Sequence, residues 1–167
     1  MKDAISESFK EYSRQVVNNS KALCQGMIKR GYTVVTGGTD THLFCVNLKS
    51  IGLVGSKAEK VLEEVSIAVN KNACPGDKSA LNPSGIRIGT PALTSRTLNE
   101  NDMDQVAEYV HQGFQLALEI NKASSGTTLK DFKEKMHDPL FQEKIKALKE
   151  NIENFAAKFP MPGLDDV

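Results

Sequence analysis

The pattern that most limits the fold of this chain is a short hairpin set among helices. Tyr32-Thr33-Val34-Val35 is a β-branched run suited to a strand, and Leu43-Phe44-Cys45-Val46-Asn47-Leu48 is a second. Between them lies Thr36-Gly37-Gly38-Thr39-Asp40, a turn by composition, so the two runs are expected to pair as a hairpin. Ahead of it, residues 4–30 carry Phe9, Tyr12, Val16, Leu23 and Met27 at roughly helical spacing, with Gly31 as the stop. Behind it, Ser56 and Glu59 match a capping box opening a helix with Val61, Leu62, Val65 and Val69 as its apolar stripe. Residues 70–84 change to Asn, Lys, Pro, Gly and Asp and are expected to form a loop long enough to suspect binding.

The second half follows the same logic. Residues 85–90 alternate as a short strand, which Pro91 ends because proline cannot donate to a sheet ladder. A helix over about residues 101–122 carries Met103, Val106, Val110, Phe114 and Ala117 on one face. After a polar break at 123–126, Thr128 can cap a helix bearing Leu129, Phe132 and Met136. Pro139 interrupts, and Ile145, Leu148, Ile152, Phe155 and Phe159 continue an apolar stripe to Pro160-Met161-Pro162-Gly163. Helix, hairpin, helix, strand and three helices predict an α+β fold, a small and mostly antiparallel sheet covered on one face by helices.

Charge and cysteine content narrow the function classes. Lys plus Arg equals Asp plus Glu, 21 against 21 in 167 residues, which gives no support for a nucleic-acid or membrane-surface role. No apolar run approaches the roughly 20 residues of a membrane helix, and residues 1–10 hold no apolar segment of a secretory signal. Cys24, Cys45 and Cys74 are odd in number and not closely spaced, which fits free thiols in a reducing compartment. Without a CxxC pair, a metal site is not expected.

Residues 70–96 hold the candidate chemistry. Arg87 is a single arginine inside an apolar strand, with Ile86 and Ile88 directed to the opposite face. Its guanidinium is suited to fork around a carboxylate; the plainer alternative is a structural salt bridge or an exposed edge-strand arginine. Asn72 could read the donor and acceptor edge of a heterocycle, or be an ordinary loop residue. Gly37-Gly38 is read as a turn, because no helix or Lys-Ser/Thr pair follows to complete a phosphate loop. His42, His111 and His137 are scattered and suggest no triad. Cys45 is expected to be a small core residue, and Cys74 is the better thiol candidate because it lies in a loop near Lys71 and Lys78.

Four segments carry a resemblance. Val35-Thr36-Gly37-Gly38-Thr39-Asp40-Thr41-His42-Leu43 resembles the VTGG(S/T)DNH segment of serine hydroxymethyltransferases, with Thr41 where the family usually has Asn. Asn70-Lys71-Asn72 followed by Cys74-Pro75-Gly76-Asp77 resembles their NKN-x-CPGD loop. Residues 84–96 resemble their SG(I/L)R(I/L/V)GTPA(L/I)T-x-R strand and helix start, and Phe159-Pro160-Met161-Pro162-Gly163 their FP-x-PG ending. Order and spacing match, essentially the whole chain is covered, and the CPGD and FPMPG forms resemble eukaryotic members.

The resemblance implies a transfer of a one-carbon unit between serine and tetrahydrofolate, giving glycine, with pyridoxal phosphate as electron sink. It implies the C-terminal small domain of a fold-type I pyridoxal-phosphate transferase: residues 1–31 as the helix joining large and small domains, 32–122 as the α+β core, 123–167 as a helical extension. Arg87 would clamp the amino-acid carboxylate, Asn72 would contact the folate pteridine, and Ser79, Ala80 and Leu81 would line the folate turn. Arg96 would support the site. The cofactor lysine of the family lies in a Thr-rich segment that this sequence lacks, and Lys57, Lys71 and Lys78 stand in other motifs. The chain alone is therefore expected to supply no catalytic residue and to bind no cofactor productively. Met1 falls where the family has an interior helix, so a piece of a longer, oligomeric protein of the cytoplasm or mitochondrion is expected. A free-standing folate- or amino-acid-binding or regulatory module is the alternative.

Overall fold

In the computed structural model, residues 3–79 and 82–163 are described. Among them the order is α1 (Glu7–Lys29), β1 (Thr33–Val34), β2 (Leu43–Asn47), α2 (Gly55–Glu64), β3 (Asn70–Asn72), β4 (Gly85–Gly89), α3 (Pro91–Ser95), α4 (Met103–Ala123), α5 (Leu129–Met136) and α6 (Pro139–Ala156). The four strands form one antiparallel sheet in the order β1-β2-β4-β3. The expected hairpin is β1 against β2, with Thr33 opposite Asn47 and Val34 opposite Val46. This is the α+β architecture that the sequence predicts.

Strand alternation divides the sheet into two faces. Val34, Phe44, Val46, Ile86 and Ile88 are buried in a core shared with Leu23 and Met27 of α1, Leu62 of α2, Phe114 of α4, Phe132 of α5 and Ile152 of α6. Leu43, Cys45 and Asn47 on the other side are only half-buried, and Arg87 and Gly89 are exposed. The helices thus cover one side of the sheet.

Buried polar contacts set the position of β4. Asn19 of α1 is fully buried and donates from Nδ2 to Thr94 Oγ1 and to the Leu98 carbonyl, each at 2.9 Å. Thr90, also buried, donates from Oγ1 to the Val16 carbonyl at 2.8 Å. Both ties fasten the exit of β4 to α1, and Pro91 opens α3 where its missing N–H costs nothing. Arg30 binds α1 to α4 through Asp104 (2.9 Å) and Glu108 (3.0 Å).

The structure corrects three local expectations. Ser56 and Glu59 do not form a capping box: α2 starts after Val54, without a side-chain cap. Ser56 Oγ is instead bonded to Asn82 Oδ1 at 3.1 Å, and Glu59 accepts the Lys71 amide at 2.9 Å. Both polar groups hold neighbouring segments to the helix, a tertiary use that outbids the local cap. Gly55 explains the early start, since its N–H donates to the Pro83 carbonyl at 2.8 Å and a Cβ there would meet the Gly85 oxygen at 2.3 Å. The helix ends at Glu64, and Ser66, with φ 65°, turns the chain toward β3, so Val69 lies beyond the helix. Second, part of the expected 70–84 loop is strand β3, whose polar Asn-Lys-Asn sequence pairs with β4 as an edge. Third, Pro139 begins α6 rather than merely breaking a helix; Asp138 caps it through the Leu140 amide at 3.1 Å. The Thr128 cap stands, as a reciprocal box with Asp131.

Candidate functional site

The face of the sheet that the helices leave bare gathers the polar groups. β4 is an interior strand, so Arg87 has a neighbour on each side: Cys45 on β2 and Asn70 on β3. Its Nη2 donates to Asn70 Oδ1 at 3.1 Å. Among the described residues no carboxylate makes an ion pair with it. Among the described residues it joins no structural salt bridge, and it is exposed, as the plainer reading has it, but on an interior strand rather than an edge. Among the described residues its hydrogen-bonded side-chain partner is the Asn70 amide, and a guanidinium can donate five such bonds.

Asn72 closes β3 beside it, half-buried, and its Nδ2 donates to the Ala73 carbonyl at 2.8 Å. Ser79 is exposed on the following loop, whereas Ala80 and Leu81 lie outside the described residues. Arg96 serves another part of the molecule. Its guanidinium donates to the carbonyls of Ala156, Phe159 and Pro160, the last two at 3.0 Å, and so holds the end of α6. It borders an apolar cavity of about 270 Å³ with Phe155 and Phe159.

The loop after β3 is organised by a residue that sequence reasoning did not single out. Asp77 is 6% exposed in its side chain and meets Lys49 Nζ at 2.8 Å. Its Oδ2 accepts the amides of Cys74 at 2.8 Å and Ser84 at 2.9 Å. Lys49 first, and these two amides next, hold its carboxyl well below the usual carboxylate range. A signal was present: Cys74-Pro75-Gly76-Asp77 has Pro and Gly where a type II turn wants them, with Gly76 at φ 83° and the Asp77 amide donating to the Cys74 carbonyl at 3.0 Å. One carboxylate therefore joins both ends of the loop to the segment following β2.

Cys45 corrects its expected core position. Because Phe44 and Val46 take the buried side, Cys45 lies on the bare face, where burial first and the adjoining Cys74 second push its thiol up to about 12. The histidines remain apart: His111 Nδ1 meets the Tyr32 hydroxyl at 2.8 Å, and His137 ends α5. Among the described residues no group of three His, Cys, Asp or Glu could hold a metal ion.

Lys57 has its ammonium held by neighbouring carbonyl oxygens, whereas Lys71 makes only a long ion pair. Lys57 is 6% exposed, and its Nζ donates to Asn121 Oδ1 at 2.7 Å and the Thr127 carbonyl at 3.0 Å; burial lowers its pKa. Lys71 lies 3.9 Å from Glu59.

Comparison with known proteins gives a family model, serine hydroxymethyltransferase, that matches residues 1–110. The cytosolic serine hydroxymethyltransferase of Oryctolagus cuniculus is 53% identical over 98% of this chain and 34% of its own length. A serine hydroxymethyltransferase of Bombyx mori is 51% identical over 99% of the chain and 36% of its length. Serine hydroxymethyltransferase 3, chloroplastic, of Arabidopsis thaliana is 44% identical over 98% of the chain and 31% of its length. The chain thus spans about a third of the length of the curated relatives it matches.

Proposed function

Because the chain belongs to the serine hydroxymethyltransferase family, we propose that it supplies the amino-acid carboxylate clamp and the folate contacts of such an enzyme. The observation that carries this reading is the Arg87 guanidinium, exposed on an interior strand, steadied by Asn70 and without a carboxylate of its own among the described residues. Two parallel N–H···O bonds to a carboxylate would orient serine or glycine as well as bind it. Asn72 and the turn at Ser79, Ala80 and Leu81 would take the pteridine of tetrahydrofolate. Arg96 would act at a distance, holding the C-terminal extension against the helix that continues β4. In this reading residues 1–31 join the small domain to a large one, residues 32–122 are its core, and residues 123–167 extend it.

Pyridoxal phosphate would supply the electron sink of the reaction, anchored by a lysine of a Thr-rich segment that this sequence lacks, and no step is assigned to the lysines of this chain. The chain alone would bind substrate groups without turning them over. Assembly as an oligomer belongs to the same proposal.

A chimera tests the reading. This chain replaces the corresponding third of the rabbit relative, and serine cleavage with tetrahydrofolate is followed. An active chimera in which Arg87→Ala raises KM for serine about 100-fold or more, as loss of a charged bidentate contact predicts, supports it. A folded, active chimera indifferent to Arg87→Ala overturns it. In parallel, the isolated chain mixed with pyridoxal phosphate should give no absorbance change on adding glycine beyond that of the same mixture without protein.

A further inference from the structure

Two thiols face each other on the bare side of the sheet. Cys45 stands on β2, Cys74 follows β3, and their Sγ atoms are 3.8 Å apart although both cysteines are free. Gly85 of β4 keeps the space between them clear, since a Cβ there would lie 2.5 Å from Cys74 Sγ and 2.9 Å from Cys45 Sγ. A disulfide bond is about 2.0 Å long, so closing the pair needs an approach of about 1.8 Å. Cys45 is half-buried and borders an open groove that Lys21 and Asp40 also line, whereas Cys74 is 5% exposed. An oxidant therefore reaches Cys45 first. Cys24, the third thiol, is buried in the core.

We propose that Cys45 and Cys74 form a reversible dithiol–disulfide site that reacts with low-molecular-weight disulfides such as oxidised glutathione. The Cys45 thiolate attacks one sulfur of the oxidant, whose S–S bond breaks and releases one small thiol. The Cys74 thiolate then attacks the Cys45 sulfur of the mixed disulfide, forming the internal bond and releasing the second small thiol. Two protein thiols give up two electrons and two protons, and the oxidant leaves as two thiols. The bond would span β4 and tie the Asp77 loop to β2, directly beside Arg87 and Asn72. This site does not depend on the function proposed above.

The test uses the native chain. It is incubated for a day with excess oxidised glutathione at pH about 9.5, because burial and Cys74 push the Cys45 thiol up and the thiolate is the attacking species, then blocked with an alkylating agent and digested for mass mapping. Expected are loss of two hydrogens from the intact mass, a linked peptide pair containing Cys45 and Cys74, reversal by dithiothreitol, and a Tm raised by several degrees. Cys45→Ser should abolish the bond, and Cys74→Ser should stop the reaction at a single glutathione on Cys45. A wild-type chain that stops at stable glutathione adducts, joins Cys24 instead, or leaves both thiols free while Cys45 accepts the alkylating agent overturns the proposal.

Discussion

Ile86 and Arg87 are neighbours on β4, yet they belong to different parts of the molecule. Ile86 is fully buried among the helices, where its contribution comes from area removed from water and close packing. Arg87 points the other way, with Asn70 as its hydrogen-bonded side chain and solvent beyond. The covered face is completed by this chain's own helices. The bare face carries Asn70, Asn72, Cys45 and Arg87, groups whose hydrogen-bonding capacity exceeds what the described residues supply. One face holds the sheet together, and the other stays open to solvent.

Paired substitutions on one strand would break this division if it is wrong. Ile86→Ala should show the largest effect, a loss of about 2–5 kcal/mol in urea unfolding from the missing contacts and the cavity left behind. Arg96→Ala comes next. Removing the donors to three carbonyls at the end of α6 should cost about 1–3 kcal/mol, with faster hydrogen exchange confined to residues 139–160; uniform exchange along the chain would deny the clamp.

Asp77→Asn tests the hinge between the two faces. At neutral pH the variant should melt below wild type, with faster exchange at the Cys74 and Ser84 amides that the carboxylate holds. The folded carboxyl is depressed, so its stabilisation is complete above the unfolded value of about 3.9 and disappears as pH falls through the folded value. The difference in Tm between wild type and variant should be constant near pH about 6 and shrink below pH about 4. An unchanged difference in acid would mean that the carboxylate charge is not what organises the loop. Arg87→Ala should be smallest, within about 0.5 kcal/mol of wild-type stability. A larger loss would make Arg87 part of the scaffold and remove the contrast on which its proposed binding role rests.

Much of the fold was legible because it is repetitive. The apolar stripes of α1, α4 and α6, the Gly-rich hairpin turn, the Pro91 stop and the Thr128 cap each express a local rule in a few residues. The errors fall where a side chain has a distant partner. Ser56 and Glu59 spell a capping box, but Asn82 and the Lys71 amide claim them. Asn-Lys-Asn has little strand preference and becomes β3 because β4 offers it an unpaired edge. Of the proposed site, Arg87 stood out as a lone charge in an apolar strand. Asp77 gave a turn signal whose importance only the convergence of Lys49, Cys74 and Ser84 reveals.

By itself the sequence determined the long helices, the antiparallel hairpin, the two-sided character of β4 and the motifs that name the family. Periodicity and turn chemistry act within a few residues, so they can be read from the chain. Tertiary structure decided which face stayed bare, that β3 exists, that Arg87 has no ion-pair partner among the described residues, and that Cys45 meets Cys74. The two sulfurs lie 3.8 Å apart across a separation of 29 residues. Such neighbours are set by strand order and by the space a glycine leaves, and neither is written in any short stretch of sequence.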